Sequence, residues 1–140
     1  VLAAQGEISF WRVRMKPGKP LAFGRIEGVP VLGLPGNPVS VMVSFETFVR
    51  PALLKMQGVT DWERPTVEAV LMDEVKRKDS RRHYLRVSVE EHEGAYRAYL
   101  TGGQGSGILS SMVRANALAI IPEDWTHAPV GARVQVIMLE

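Results

Sequence analysis

Three short stretches of this chain carry residues that suit the binding of an oxyanion. The turn from Lys16 to Pro20 (KPGKP) holds two ammonium groups close together, because its Pro-Gly pair forces a bend. The loop from Pro35 to Pro38 (PGNP) joins an apolar run to a helical pattern, which aims backbone N–H groups at one spot. Arg86 lies within an apolar alternation, where a guanidinium would be held in place. These residue types predict recognition of negatively charged oxygens.

Each stretch also has a simpler interpretation. The lysine turn could be a solvated hairpin tip, and PGNP could be only a well-formed connection between a strand and a helix. The basic run from Lys76 to Arg86 is typical of a solvated loop. The glycine-rich stretch from Thr101 to Asn116 could approach a ligand closely or could be a flexible loop between strands. The residues alone leave these alternatives open.

Several classes of site are excluded by residue type. The chain has no cysteine, so it can form no disulfide, thiolate nucleophile or cysteine-ligated metal centre. Its three histidines, His83, His92 and His127, lack the spacing of metal ligands. PGNP lacks the lysine of a nucleotide-binding P-loop. No residue is identifiable as a general base or covalent nucleophile, so the catalytic acid and base stay unknown.

Composition predicts a globular protein. The 140 residues are 46% hydrophobic and 23% charged, which suffices for a buried core. A net charge of +2 is too small for the dense positive field of a nucleic-acid binder. No apolar run is long enough to span a membrane and no signal peptide is evident, so we expect no membrane partner and a cytoplasmic location. Because the chain begins with Val1 rather than Met, we expect a fragment of a longer protein.

The elements that must position the first two stretches follow from periodicity. VLAAQG, from Val1 to Gly6, resembles the end of a helix. A helix with Asn37 as its N-cap should begin at Pro38, extend to about Gln57, and be buried on most sides. Pro51 should kink it, or split it after Arg50. Strands are predicted at Glu7–Met15, Leu21–Ile26 and Val29–Leu34.

A change of composition over Gly58 to Pro65 predicts a domain boundary, giving domains 1–60 and 61–140. Beyond it, short alternating stretches favour a small β-barrel or sandwich. The predicted fold class is therefore α/β followed by all-β. The five expected strands are Thr66–Met72, Tyr84–Val89, Tyr96–Leu100, Ala117–Ile121 and Arg133–Leu139.

Four motifs in this order resemble the molybdopterin molybdenumtransferase family, which comprises the MoeA proteins and the E domain of gephyrin. They are FWRVRMKPGKPLAFG, GLPGNPVS with the apolar helix after it, RRHYLR and GGQGSGILSSMVRANAL. The resemblance covers nearly the whole chain. It implies the later part of a three-layer α/β domain, with strands and one long helix, followed by a small C-terminal β-barrel-like domain.

The resemblance also implies an activity, which is magnesium-dependent insertion of molybdate into adenylylated molybdopterin with release of AMP. It implies a homodimer, and it allows other molybdenum cofactor biosynthesis proteins as partners. Charge stabilisation is the expected role of Lys16 and Lys19. The residues implied to face the substrates are Lys16, Lys19, Pro20, Asn37 and Ser40, with Arg86 and Ser106 as candidates for a molybdate site.

The family's acidic loop that helps hold magnesium is absent, so we expect no metal ligand here and an inactive chain on its own. The alternative is a non-catalytic molybdopterin- or oxyanion-binding scaffold module of the same family. A structural β module that binds nothing would leave the paired lysines without a role. Molybdate and tungstate are not distinguished. We expect Arg86→Ala to weaken oxyanion binding with little effect on folding.

Overall fold

The computed structural model describes residues 6–140, apart from the side chains of Phe10 and Trp11. The helix end expected over Val1 to Gly6 lies almost entirely outside the described residues. Two compact units can be distinguished, of which the first ends at Trp62 and the second is Glu63–Glu140. The stretch from Gly58 to Pro65, where a domain boundary was predicted, spans this point.

The first unit contains a three-stranded antiparallel sheet. Its strands are β1 (Glu7–Arg12), β3 (Pro20–Ile26) and β4 (Val29–Gly33), in the order β1-β3-β4, and a short strand β2 (Met15–Lys16) follows β1. Glu27 and Gly28 both have positive φ, 50° and 81°, as a two-residue hairpin turn between twisted strands requires. The three predicted strands are therefore confirmed, with the first ending earlier, at Arg12.

The helix that follows is continuous but changes type. It comprises α1 (Pro38–Ser44), a π-helical segment (Phe45–Val49) and α2 (Arg50–Met56). Pro51 was expected to kink the helix or to split it after Arg50, and the helix is not split there. Pro51 has no N–H, and its ring would clash with a carbonyl one turn earlier, so the chain widens into a π turn just before it. There the Arg50 N–H donates to the Phe45 carbonyl five residues back.

Only one stripe of this helix is buried within the chain. Val39, Ser40, Val43 and Ser44 are buried, as the spacing of one helix face requires. Four apolar side chains, Met42, Phe45, Leu53 and Met56, are between 39% and 73% exposed. The expectation of burial on most sides is therefore not met in this chain, because one face alone packs against its neighbours.

The second unit is a small five-stranded barrel, as predicted. The strands are β5 (Thr66–Leu71), β7 (Arg82–His92), β8 (Ala95–Leu100), β9 (Ala117–Ile121) and β11 (Arg133–Met138). They follow the order β7-β8-β5-β11-β9, and pairing of β7 with β9 closes the barrel. The β5–β8 pair is parallel and the other four pairs are antiparallel. Residues such as Leu71, Val87, Ile121 and Val136 fill the interior.

Two further strands and a helix decorate the barrel. Strands β6 (Val75–Lys76) and β10 (His127–Ala128) pair with each other. The sequence did not predict them, because a strand of two residues is too short to show an alternation of apolar and polar residues. The short helix α3 (Leu109–Val113) follows the glycine-rich loop, where a helical turn was predicted. None of the helices within residues 6–140 combines the length and apolarity that crossing a membrane takes.

Candidate functional site

The lysine turn presents two exposed ammonium groups. Lys16 and Lys19 are both exposed, and neither forms an ion pair with any other described residue. The Val13 N–H donates to the Lys19 carbonyl at 2.9 Å, which closes the turn. Two unpaired cations on one closed turn form a positively charged feature that a negatively charged ligand could neutralise.

This turn packs against helix α1 through Gly18. Gly18 has a φ of +104°, and a Cβ added there would lie 2.7 Å from the Ser44 Oγ, so only glycine fits. Ser40 lies one helical turn before Ser44 on the same face, and both serines are buried. The structure therefore brings Ser40 and the turn that carries Lys16, Lys19 and Pro20 to one region of the first unit.

Asn37 has the backbone position of an N-cap but does not cap with its side chain. Its φ and ψ are −73° and 129°, and its carbonyl accepts the Val41 N–H at 2.9 Å. The side chain makes no capping hydrogen bond and the residue is exposed. The predicted position is confirmed, whereas the predicted side-chain bond is not formed.

Arg86 is a buried cation without an acidic partner. It is 1% exposed, and no carboxylate among the described residues forms an ion pair with it. Its Nε donates to the Ser111 Oγ at 3.1 Å, Nη2 to the Gly105 carbonyl at 3.2 Å, and Nη1 to the Tyr84 carbonyl at 3.5 Å. Burial lowers the pKa of the guanidinium, which nevertheless stays charged at neutral pH. A buried positive charge of this kind attracts an anion.

The same contacts place the glycine loop beside Arg86. The bond to Gly105 brings Ser106, the next residue, close to the guanidinium, and Ser106 is half-buried. The structure thus brings together both candidates predicted in the second unit. It also corrects one expectation: because the guanidinium is buried and bonded, Arg86→Ala will cost folding stability as well as affinity.

The other cations of the basic run are used within the protein. Arg77 is buried and donates to the backbone carbonyls of Trp125, Arg81 and Glu123. Asp79 accepts hydrogen bonds from Arg81 and from His83, each at 2.9 Å. The bond from Arg81, followed by that from His83, holds the pKa of Asp79 well below its usual range. Arg77 and Arg81 therefore serve the fold, so the run is not simply a solvated loop.

The acidic and histidine side chains of the described residues are the groups that could bind a metal ion. Residues 6–140 contain no group of three or more histidine, aspartate or glutamate side chains that could hold a metal ion. The residues present do not fit a magnesium site.

Sequence reasoning missed the polar residues that hold Arg86. It noted the hydroxyl of Ser111 but gave it no role, and it gave none to Thr101 or Gln104. Their contacts with Arg86 join residues 15 to 25 positions apart, so no local pattern could reveal them. The only available signal was the clustering of polar residues between glycines.

Both units match described protein families. Residues 68–139 match the family described as MoeA C-terminal region (domain IV). Residues 2–55 match the family described as Probable molybdopterin binding domain. The two matches follow the division between the units.

Individual proteins show the same similarity. The chain is 33% identical to a molybdopterin molybdenumtransferase from Haemophilus influenzae over 97% of its own length and 34% of the relative's. It is 35% identical to gephyrin from Dictyostelium discoideum, covering 96% of this chain and 22% of gephyrin. A crystal structure of a molybdopterin biosynthesis moeA protein from Pyrococcus horikoshii OT3 superposes with a TM-score of 0.77 at 32% identity, covering 99% and 34% of the two chains. The chain thus spans between 22% and 34% of the length of these proteins.

Proposed function

The chain belongs to the MoeA family, and from that premise we propose that the full-length protein inserts molybdate into adenylylated molybdopterin, with release of AMP. The names of the relatives support the transferase class and the pterin. The reaction would take place in the cytoplasm and would depend on magnesium. Because the described residues do not fit a magnesium site, the ion would be held by residues outside them.

The observation that carries the proposal is the buried guanidinium of Arg86. Molybdate is a doubly charged oxyanion, and it needs several charged or polar donors within about 3 Å to offset its lost hydration. A guanidinium has five N–H donors, and Arg86 uses three of them in the bonds described above, so two are left for a ligand. Ser106 would add a hydroxyl from the glycine loop.

The first unit would bind the other negatively charged groups of the substrates. Lys16 and Lys19 would stabilise the charge that develops as AMP leaves, because fixed cations lower the energy of a negatively charged transition state. Pro20, Asn37 and Ser40 would line the same region and orient the pterin substrate. No residue is assigned the role of acid or base.

The proposal is tested by measuring AMP release from adenylylated molybdopterin in the presence of molybdate with the full-length protein. We expect Arg86→Gln to weaken molybdate binding by about 1.5 to 3 kcal/mol, the usual cost of losing a charged hydrogen bond. Arg133→Gln is a matched control, because Arg133 lies in the same unit but its side chain is 75% exposed and paired with Glu68. Absence of AMP release from a folded, magnesium-loaded protein would overturn the proposal.

A binding module without catalytic activity is the second candidate. The described groups favour it, because the Arg86 guanidinium and the exposed ammonium groups of Lys16 and Lys19 are suited to binding an anion. The two candidates differ in one result. A binding module would bind molybdate through Arg86 yet release no AMP under any condition that supports activity of a related transferase.

We also propose that the full-length protein is a homodimer. Each of its two equivalent sites would combine the lysine turn of one subunit with Arg86 of the other, an isologous arrangement that yields two equal sites. Other proteins of molybdenum cofactor biosynthesis would be its partners for supply of the pterin and removal of the product.

A further inference from the structure

We infer that Ser111 is a positioning residue of the oxyanion site, because its hydroxyl helps to fix the guanidinium of Arg86 with Nη2 towards the glycine loop. The inference rests on the proposed function, since it takes Arg86 as a ligand of the anion. Nothing in the family descriptions or the names of the relatives assigns a role to this serine.

The direction of the bond between Ser111 and Arg86 is determined by the other contact of the hydroxyl. The Ser111 Oγ donates its single hydrogen to the Ile108 carbonyl at 2.7 Å. It can therefore only accept from the Arg86 Nε, which lies 3.1 Å away. Ser111 is completely buried, so water cannot replace either bond.

Ser111 is one of three acceptors that orient the guanidinium, and it is the side-chain acceptor among them. A guanidinium is planar, so an acceptor at Nε restricts the plane and places the two terminal nitrogens away from Ser111. Nη2 reaches the Gly105 carbonyl at 3.2 Å, next to Ser106, whereas Nη1 reaches the Tyr84 carbonyl at 3.5 Å. The N–H of Nη2 that remains is therefore presented beside the glycine loop.

Two neighbours hold the backbone of Arg86. Thr101 Oγ1 lies 2.6 Å from the Ser111 carbonyl and 3.0 Å from the Arg86 carbonyl, and its single hydrogen can be donated to either of them. Gln104 accepts the Arg86 N–H at 2.8 Å and donates to the Arg86 carbonyl at 3.1 Å. The start, the middle and the end of the loop are thus all tied to Arg86.

The test is a calorimetric titration of the full-length protein with sodium molybdate. We expect Ser111→Ala to weaken binding roughly 5- to 10-fold, less than loss of a direct charged hydrogen bond would, because Ser111 acts on the anion only through Arg86. Ser111→Thr retains the hydroxyl and should bind within about twofold of the unmodified protein. Its extra methyl group must fit a fully buried site, so its thermal stability should nevertheless fall. Ser110→Ala is the control, since Ser110 is the exposed neighbour of Ser111.

The threonine variant separates positioning from general stability. If affinity follows thermal stability, so that Ser111→Thr binds as weakly as Ser111→Ala, the inference is overturned. It is also overturned if Ser111→Ala binds like the Ser110→Ala control. Should Ser111→Ala fail to fold, Ser111→Cys replaces it with a loss in the same direction, because a thiol is a weaker acceptor.

Failure of the proposed function gives a different result. In that case the unmodified protein does not bind molybdate, or Arg86→Gln binds it equally well. Loss of binding in Arg86→Gln together with full binding in Ser111→Ala would leave the proposed function standing and remove only the role of Ser111.

Discussion

Arg77 and Arg86 are both buried in the second unit, yet their partners give them different uses. Arg77 directs Nε, Nη1 and Nη2 to three backbone carbonyls, which suits a residue that fastens loops together. Arg86 bonds to two carbonyls and to a serine hydroxyl that already donates elsewhere, at distances of 3.1 Å to 3.5 Å. Neither arginine forms an ion pair with a described residue, but Arg86 lies beside the glycine loop and contacts a serine hydroxyl, which favours a binding role for it.

Arg77→Ala should therefore destabilise the protein without changing its affinity for molybdate. Three partly buried carbonyls would lose their donor, and we expect a loss of about 2 to 4 kcal/mol in the free energy of unfolding. Urea denaturation measures that loss, and a titration well below the unfolding transition measures the affinity. Arg133→Ala, at an exposed ion pair, should cost no more than about 1 kcal/mol. A fall in affinity for folded Arg77→Ala would contradict this division of roles.

The contact between Gly18 and Ser44 gives a second prediction at single residues. Gly18→Ala should destabilise the first unit by about 2 kcal/mol or more, since φ is +104° and the new Cβ would meet the Ser44 Oγ at 2.7 Å. The Ser44 Oγ is buried and has no hydrogen-bond partner among the described residues, so Ser44→Ala should be neutral or stabilising by up to about 1 kcal/mol.

A double-mutant cycle checks the Gly18–Ser44 contact by urea denaturation. The double variant should be more stable than the sum of the two single changes predicts, because removing the hydroxyl relieves the clash. Full recovery is not expected, since the backbone strain at residue 18 remains. Strict additivity would mean that the turn does not pack on helix α1 as described.

Sequence reasoning at this scale succeeded where the residue type was unusual for its surroundings. An arginine within the apolar alternation of β7 predicted a guanidinium held in place, and Arg86 is indeed buried. The partners of Arg86 could not be predicted, because hydrogen bonds across 18 to 25 residues depend on how the barrel closes. The unpartnered hydroxyl of Ser44 likewise follows from packing alone.

At the scale of elements, periodicity predicted the barrel strands but not the form of the helix. Strands such as β5 and β11 alternate between buried and less buried residues, which is a local signal, whereas β9 is buried at four of its five residues. Pro51 lacks the backbone N–H and so signals only that one helical hydrogen bond is missing. A kink, a break or a π turn can each accommodate this missing donor. With the π turn, Val39 and Val43 are buried and the helix continues to Met56. Which of the three structures forms depends on tertiary packing.

The loop between β6 and β7 gives a prediction about pH. Because the pKa of Asp79 is lowered by Arg81 and then by His83, the ionised carboxylate stabilises the folded state above the pKa of an unfolded aspartate. That stability is lost as the pH falls below about 4. Asp79→Asn should lower the free energy of unfolding by roughly 1 to 2 kcal/mol at pH 7, because solvent partly screens this carboxylate. The difference should become progressively smaller below pH 4.

Urea denaturation of both proteins between pH 7 and pH 3 measures this difference. Asp124→Asn is a suitable control, since Asp124 is an exposed aspartate of the same unit. A difference between Asp79→Asn and the unmodified protein that stays constant down to pH 3 would show that the ionised form of Asp79 contributes nothing.

At the scale of the whole molecule, the order of four motifs predicted more than any single element did. Each motif alone is also typical of an ordinary turn or loop, yet together they predicted both the family and the succession of an α/β unit and a barrel. Residues 2–55 and 68–139 match two families in that same order. Physical reasoning alone predicted oxyanion binding but not which oxyanion, because charge and donor count are shared by phosphate, molybdate and tungstate.

The proposed sharing of sites between subunits can be tested with mixed dimers of the full-length protein. Lys19 lies in the first unit and Arg86 in the second, so Lys19→Ala and Arg86→Gln inactivate different parts of the proposed site. If one subunit supplies the lysine and its partner the arginine, a mixed dimer has one site with both lesions and one with neither. AMP release should then return to about half of the unmodified rate per mixed dimer.

The measurement compares AMP release before and after the two inactive homodimers are mixed and allowed to exchange subunits. Exchange is demonstrated separately by differential tagging and purification of dimers that carry both tags. Mixing Arg86→Gln with Arg86→Gln under the same conditions is the control for recovery without complementation. Demonstrated exchange without any recovery would mean that each chain builds its site from its own Lys19 and Arg86, because every subunit of the mixed dimer would then keep one lesion.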